Sequence, residues 1–232
     1  MRRAAAAPAL AALLAAAWGS AAARAQEPDC PPAPVRVEVA VEDPEPKLDR
    51  SAGMDALRRA AGESGDGAAY RHLGATESRV EWRSESEARI VERPGRACAR
   101  PERVSIRVRH AEHRVRIARE LRRGGCLFRE TQAHERRHVS VNRATLRDAA
   151  AEVEAAARGW AETAVGHGDT RQEAMDELQA GLRRAIAPAM EGLRAAREAG
   201  HRAIDSPEEY RRLGEVCPDE QKALRERRRQ GR

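Results

Sequence analysis

The residues best suited to chemistry are His134, Glu135 and His138, which form the motif His-Glu-x-x-His within HERRH. Histidines four residues apart stand one turn apart on a helix, so both imidazoles can bind one zinc ion. The glutamate beside the first histidine can then act as general base in a hydrolysis. The motif therefore predicts a zinc site with Glu135 as its catalytic base. The alternative is a pair of core histidines that hydrogen-bond to the backbone.

One long helix is predicted around this motif. Residues 127–163 contain no proline and a single glycine, and they are rich in Ala, Arg and Glu, which favour helix. At about 100° per residue, His134 and His138 fall on the apolar stripe of that helix, and Glu135 lies at its edge. Other members of the stripe are Leu127, Thr131, Val141, Thr145, Ala149, Val153, Ala156 and Trp160. Both histidines are therefore expected to face the protein interior, as a metal site requires.

A catalytic zinc site needs a third protein ligand and one open position for water. The residue six positions after His138, where a third histidine can follow this motif, is Ala144, so another segment must supply the ligand. If this helix and the next long helix pack antiparallel about a turn near residue 167, residues 138 and 134 lie opposite roughly 196 and 200. Three residues near that window can bind a metal: Glu198, His201 and Asp205. We expect His201 to be the ligand, with Asp205 orienting its second ring nitrogen; Glu198 and Asp205 are the alternative ligands.

A hydrolysis at this site also needs a hydrogen-bond donor for the tetrahedral oxyanion. Tyr210, just after His201 in the chain, is the candidate donor, although a tyrosine there can equally be a packing residue. His167 is a second candidate. The predicted catalytic pair is therefore Glu135 and Tyr210.

The first part of the chain has the pattern of β-strands. Valines alternate with other residues from Val35 to Val41, which is typical of a half-buried strand. A short helix is predicted from Ser51 to about Ala61, with a glycine-rich loop at 62–67. Further alternating segments follow at 76–83, 88–91, 104–109 and 115–118. We expect polar turns at 84–87 and at His110–His113, which would leave those two histidines solvated rather than bound to a metal.

A second long helix is predicted after the turn Gly166-His167-Gly168. Thr170 and Glu173 form a capping box at its start, and Pro188 is expected to kink the helix or split it. Ser206-Pro207 marks the start of a short third helix. The charged tail after Cys217 is expected to be frayed.

Together these segments predict an α+β fold in a single domain from residue 26 to residue 218. Residues 26–125 are expected to form an N-terminal antiparallel β region with a short helix. Residues 126–218 are expected to form a long antiparallel helical hairpin that carries the zinc motif. Residues 219–232 form the charged tail.

The composition favours a folded protein, with 41% hydrophobic and 34% charged residues. The net charge is +6, which raises the question of a nucleic-acid partner. Nearly all of the positive charge is arginine, and outside the tail it is interspersed with glutamate rather than gathered in a basic block. A nucleic-acid partner is therefore not expected.

The first 25 residues have the features of a signal peptide. Arg2 and Arg3 precede a short apolar run, and Ala23-Arg24-Ala25 is a cleavage site of the A-x-A type. The mature protein is therefore expected to be secreted or periplasmic, with no membrane span. The alternative is an uncleaved N-terminal anchor.

All four cysteines lie in the predicted mature part. An even number of cysteines in an oxidising compartment predicts two disulfides, for which three pairings are possible. We favour Cys98–Cys126, which would brace the segment before the motif helix, and Cys30–Cys217, which would join the two ends of the domain.

Several short segments resemble a known bacterial family. In chain order they are the A-x-A signal peptide, Leu73-Gly74-Ala75-Thr76 before a strand with Trp82, Cys98, Cys126 ahead of HERRH, and Ile204-Asp205-Ser206-Pro207-Glu208-Glu209-Tyr210 before Cys217. This order, which covers most of the mature chain, is similar to that of the predicted secreted zinc-dependent proteases. The resemblance implies a zincin-like fold, with His134 and His138 as zinc ligands and Glu135 as base. It identifies neither the third ligand nor the substrate.

Two functions follow from the sequence. The first is an exported zinc metallopeptidase or amidase that hydrolyses bonds in a peptide or protein substrate. The second is a non-catalytic envelope scaffold, stapled by disulfides, whose helices bind a partner. The two differ in whether an acidic residue or histidine of the C-terminal helices reaches a metal placed between His134 and His138.

Overall fold

A computed structural model of the chain describes residues 30–60 and 73–230, without the side chain of Arg228. The signal peptide predicted for residues 1–25 and the loop predicted for 62–67 lie outside the described residues. The elements are β1 Arg36–Glu42, β2 Lys47–Asp49, α1 Met54–Ala60, β3 Gly74–Arg93, β4 Arg96–Ile117, α2 Cys126–Thr163, β5 Gly166–Gly168, α3 Arg171–Ile204, α4 Pro207–Glu215 and α5 Pro218–Gln230.

The five strands form one mixed sheet around β4. β1 and β2 pair parallel with two successive parts of β4, whereas β3 and β5 pair antiparallel with it. The predicted fold class, an antiparallel N-terminal β region followed by a helical hairpin, is therefore wrong. Alternation in β1 correctly indicates a strand, but it carries no information about the direction of the partner strand. In addition, β5 comes between α2 and α3 in the chain and joins the sheet by pairing with β4, and the helices α4 and α5 follow α3.

β3 and β4 are much longer than predicted. They pair along nearly their whole length, so the polar turns predicted at 84–87 and at His110–His113 are absent. Their hairpin turns instead at Pro94-Gly95, where Gly95 has a φ of 70° that glycine adopts without steric cost. The polar residues at 84–87 lie within β3, mostly at positions exposed to solvent, whereas His110 and His113 are buried within β4.

The two long helices cover one face of the sheet. The core there joins residues from β4, α2 and α3: Val104, Ile106, Val108, Leu146, Val153, Leu182, Ile186 and Leu193. α3 begins at the predicted capping box of Thr170 and Glu173 and continues unbroken through Pro188. Pro188 is exposed, so water can satisfy the carbonyl that loses its helical partner. Of the two expected effects of Pro188, a kink or a split of the helix, the split is therefore wrong.

The segment after Cys217 is the helix α5 rather than a frayed tail. Leu224 and Gln221 are buried, and both oxygens of the Glu220 carboxylate accept hydrogen bonds from the first backbone N–H groups of α2, those of Cys126 and Leu127. Gly125, the N-cap residue of α2, has no side chain to do this. α5 therefore caps the helix that carries the His-Glu-x-x-His motif. In the described part of the chain, no helix is long and apolar enough to span a membrane.

Two disulfides are present, Cys30–Cys98 and Cys126–Cys217. The expected number is therefore confirmed, but the predicted pairing is wrong. Cys98 lies near the start of β4, and Cys126 comes after its end. At about 3.3 Å per residue, the strand carries the chain roughly 60 Å between residues 98 and 117, so Cys98 and Cys126 cannot meet.

Candidate metal centre

α2 presents all three motif residues to the interior. His134, Glu135 and His138 are 6%, 3% and 7% exposed. The three lie on the face of α2 that meets the start of β3 and the end of α3, and they share one pocket with residues of both. Glu135, placed by sequence at the edge of the apolar stripe, is in fact the most deeply buried of the three.

Asp205 completes a triangle of potential ligand atoms with the two histidines. The Nε2 atoms of His134 and His138 lie 3.2 Å apart. Asp205 Oδ1 lies 3.2 Å from each of them. Tetrahedral zinc with ligand distances of about 2.0–2.1 Å requires its ligand atoms to be about 3.3 Å apart. The three residues therefore have the spacing that one metal ion needs, and they form a group that could hold one.

His201 and Asp205 have the reverse of their predicted positions. His201 Nδ1 lies 2.8 Å from His138 Nδ1, on the side of that ring away from the triangle. His201, predicted to be a ligand, therefore contacts a histidine of the triangle from behind, whereas Asp205, predicted to orient His201 or to be an alternative ligand, is itself in the triangle. Glu198, the other alternative, is exposed and pairs with Arg202 on the helix surface.

The surroundings keep Asp205 anionic. Although burial raises its pKa, hydrogen bonds with His134 and His138 hold the pKa of this carboxyl well below its usual range. The pKa of His134 is raised, because its hydrogen bond with Asp205 and the negative charge of Glu135 outweigh the lowering by burial. Negative charge thus collects around the histidines, which favours a cation at the triangle.

Glu209 supports His134 from behind. Its Oε1 lies 3.3 Å from His134 Nδ1, and Arg137 Nη2 lies 3.0 Å from the same nitrogen, so both side chains contact the imidazole on the side opposite Nε2. Hydrogen bonds from Arg212, together with His134 and Arg137, lower the pKa of Glu209 to about 2. A carboxylate of this kind beside a histidine ligand fixes the orientation of the ring.

Glu135 is held by the start of β3. Thr76 Oγ1 donates a 2.7 Å hydrogen bond to Glu135 Oε2. Burial raises the pKa of Glu135, and the bond from Thr76 only partly offsets it. Because Gly74 has no side chain, the start of β3 can lie close to Glu135; a Cβ at Gly74 would lie 2.6 Å from Glu135 Oε1.

These groups share one open pocket of about 290 Å³. It is lined by the first three residues of β3, the three motif residues, His201, Asp205 and Tyr210. The hydroxyl of Tyr210 donates to Asp205 Oδ1 at 3.0 Å, so the predicted oxyanion donor lies at the site. His167, the second candidate donor, is exposed on β5, where its backbone pairs with Cys98.

A second buried histidine cluster lies elsewhere in the fold. His110 and His113 are 4% and 6% exposed, not solvated as predicted from sequence. Residues three apart on a regular strand face opposite sides, but Ala111 has no partner in β3, and this bulge turns both histidines inward. The sequence carries no signal for that bulge.

Asp43, His110 and His113 also form a group that could hold a metal ion. However, His110 Nδ1 lies 3.0 Å from Asp43, and Arg197 approaches His110 Nε2 at 3.3 Å. An arginine N–H requires a lone pair on Nε2, which places the ring proton on Nδ1 facing the carboxylate. His110 is thus satisfied by protein groups, and Arg143 neutralises Asp43. These charges make the cluster a poor site for a cation.

Comparison of the chain with protein-family models, curated proteins and solved structures found no match. The interpretation of the site therefore depends on its geometry and on the chemistry of its residues.

Proposed function

We propose that the protein is an exported zinc-dependent hydrolase that cleaves peptide or amide bonds in a peptide or protein substrate. The observation that carries the proposal is the triangle of His134, His138 and Asp205 with sides of 3.2 Å, beside the buried Glu135 in an open pocket. Two imidazoles and a carboxylate, with a fourth position open, are the kind of ligand set that catalytic zinc uses.

Zinc, when bound, supplies Lewis acidity that lowers the pKa of a coordinated water toward 7 and polarises a carbonyl. Glu135 accepts the proton of the attacking water and returns it to the leaving amine. Its raised pKa suits this role, because a stronger base takes the proton more readily. We assign Tyr210 to the oxyanion, since its hydroxyl is at the pocket wall and a phenol can donate to a developing charge.

The proposed location is outside the cytoplasm. Two disulfides are typical of an oxidising compartment, and the predicted signal peptide provides a route to it. A periplasmic or secreted hydrolase would act on peptides or proteins of the envelope or of the medium.

Zinc content is the first test. The purified chain is expected to hold one zinc ion per molecule, and His138→Ala is expected to lose it. His167→Ala provides the matched control, because this histidine is exposed on β5 and should not affect zinc. A wild-type chain that takes up no zinc when the metal is supplied would exclude the hydrolase and favour the non-catalytic scaffold.

Glu135→Gln tests the catalytic step. The variant is expected to keep its zinc but to lose hydrolysis of a fluorogenic peptide mixture by about 10²- to 10⁴-fold, the usual contribution of a general base. Glu154→Gln, at a partly exposed position on the same helix, serves as control. Unchanged hydrolysis in Glu135→Gln would remove Glu135 from the mechanism.

A further inference from the structure

The strand β1 has a free side at the edge of the sheet. It pairs with β4 along its whole length, and in the described part of the chain no strand pairs with its other side. The backbone hydrogen bonds that the described residues form outside regular helices and strands do not involve β1 either. An edge of this kind presents N–H and C=O groups to which a strand of another chain can add.

Prolines confine this free edge to β1. Three precede the strand and two follow it: Pro31, Pro32, Pro34, Pro44 and Pro46. Proline lacks the backbone N–H that a strand ladder needs, so an added strand cannot hydrogen-bond regularly beyond these positions. β1 itself, Arg36–Glu42, contains no proline. The surface that can pair is therefore seven residues long.

Three valines of β1 leave apolar surface at this edge. Val37, Val39 and Val41 lie opposite core residues of β4, on the face of the sheet that α2 covers. Nevertheless Val37 and Val39 are only half-buried, and Val41 is 42% exposed. The helix therefore leaves this row of valines partly open, and a neighbouring strand with apolar residues at the same positions would cover it.

A second copy of β1 complements this row when the two strands run antiparallel about a two-fold axis at Val39. Val39 then lies opposite Val39 of the second copy, and Val37 lies opposite its Val41. The valine rows of the two copies thus meet, and apolar cross-strand contacts of this kind stabilise a sheet. A register shifted by one residue would instead place valines of one copy opposite polar positions of the other.

The other face of β1 is complementary in the same register. It carries Arg36, Glu38, Ala40 and Glu42, all exposed. Arg36 lies opposite Glu42 of the second copy, and Glu38 lies opposite Ala40, so each end of the strand pair has opposite charges and no like charges meet. A shift of the axis by one residue in either direction removes this match, because Glu38 then lies opposite Glu38 or Glu42 of the second copy.

We propose that two copies of this chain form a dimer through antiparallel pairing of their β1 strands, which joins their sheets into one. The interface closes on itself, because the same strand provides both halves about a two-fold axis. Glu42 already lies 3.0 Å from Arg107 of β4, but its side chain is 48% exposed, which leaves carboxylate surface for Arg36 of the second copy. A second copy is the partner that fits, since β1 supplies both the apolar and the charged complement of its own edge.

Two charge reversals test this pairing. Arg36→Glu would place glutamates opposite each other at both ends of the interface, and Glu42→Arg would place arginines there. Each variant is therefore expected to dimerise about 10- to 100-fold more weakly than the wild type. An equimolar mixture of the two variants has a glutamate opposite an arginine at both ends, so it is expected to form a heterodimer.

Sedimentation velocity of the mature chain, with both disulfides formed, measures the dimer as a function of protein concentration. Native mass spectrometry identifies the heterodimer by its mass. Arg83→Glu and Glu85→Arg are the matched controls, because they make the same charge changes at exposed positions of β3 and should leave the dimer unchanged. Ala40→Lys should strengthen the dimer, because it places a lysine opposite Glu38 of the second copy.

A wild-type chain that remains monomeric up to high micromolar concentration would overturn the proposal. It would also be overturned if the two reversals left the dimer unchanged, or if their mixture formed no more dimer than each variant alone. If a reversed variant does not fold, Ala40→Lys decides, and a dimer that it fails to strengthen contradicts the pairing. None of these measurements needs a metal or a substrate, so their outcome is independent of the proposed hydrolase.

Discussion

At the scale of the residue, the positions of Asp205 and His201 in the fold, rather than the chemistry of their side chains, decide which of them reaches the two motif histidines. Imidazole is a good zinc ligand, which favoured His201 from sequence. Asp205, however, is the C-cap residue of α3, where the chain turns away from the helix and brings the carboxylate over both motif histidines. His201, one turn earlier, remains on the helix face behind His138.

Substitution of Asp205 should reduce zinc affinity more than substitution of His201. Asp205→Ala is expected to abolish stable zinc binding, because it removes one of the three proposed ligands. His201→Ala is expected to weaken zinc binding only about 10- to 100-fold, because it removes a partner of the proposed ligand His138. Titration against a chelator of known affinity measures both. The opposite order of effects would identify His201 as the ligand.

At the scale of the element, the start of the motif helix depends on a different helix. The two N–H bonds from Leu127 and Cys126 lower the pKa of Glu220 below its ordinary value of 4.5. A carboxylate whose pKa is lowered by folding stabilises the protein above its unfolded pKa, and this stabilisation disappears as the pH falls. Glu220 should thus behave as the missing N-cap of α2.

Glu220→Gln is therefore expected to lower the free energy of unfolding by about 1 kcal/mol at neutral pH, the usual value of an N-cap. The difference from the wild type should shrink as the pH falls below about 4.5, where the wild-type carboxylate takes up its proton. Urea unfolding of both proteins at several pH values provides the measurement. A difference that does not change with pH would show that the charge of Glu220 is not involved.

Gly74 controls how closely β3 and α2 approach each other. A Cβ at this position would lie 2.6 Å from Glu135 Oε1 and 2.7 Å from Thr131 Cγ2. Gly74→Ala is thus expected to cost about 1–3 kcal/mol of stability and to displace Glu135 from Thr76. Thermal unfolding and peptide hydrolysis measure the two effects. Gly159→Ala is the control, since a Cβ there meets nothing within 4 Å and should stabilise α2 slightly.

At the scale of the whole molecule, the Cys126–Cys217 disulfide connects the helix that carries His134 and His138 to the C-terminal segment that carries Asp205 and Glu209. It joins the first residue of α2 to the segment after α4, across 91 residues that include Asp205 and Glu209. The other disulfide, Cys30–Cys98, lies at the opposite end of β4, close to β5. The two disulfides should therefore differ in their effect on the proposed metal centre.

Replacement of Cys126 and Cys217 by serine is expected to lower the free energy of unfolding by about 2–5 kcal/mol and to weaken zinc binding. The same change at Cys30 and Cys98 should lower stability but leave zinc affinity unchanged. Denaturant unfolding and chelator titration of both double variants test this difference. Equal losses of zinc affinity would show that the bridges act only through overall stability.

Local patterns in the sequence were sufficient to predict much of the secondary structure. The alternation at 35–41 predicts β1, the composition around HERRH predicts α2, and the capping box at Thr170 and Glu173 predicts the start of α3. These signals depend on interactions between residues a few positions apart, which are the same in any tertiary context. The spacing of the motif also predicts that His134 and His138 share one helix face.

Only the tertiary structure decided which distant groups meet. The parallel pairing of β1 with β4, the bulge at Ala111 and the disulfide partners depend on packing between segments far apart in the chain. The contact of Asp205 with the two motif histidines and the contact of Asn142 with His201 also depend on such packing. Periodicity specifies the face on which a side chain lies, but the residue opposite that face is determined by how the whole sheet and its helices pack.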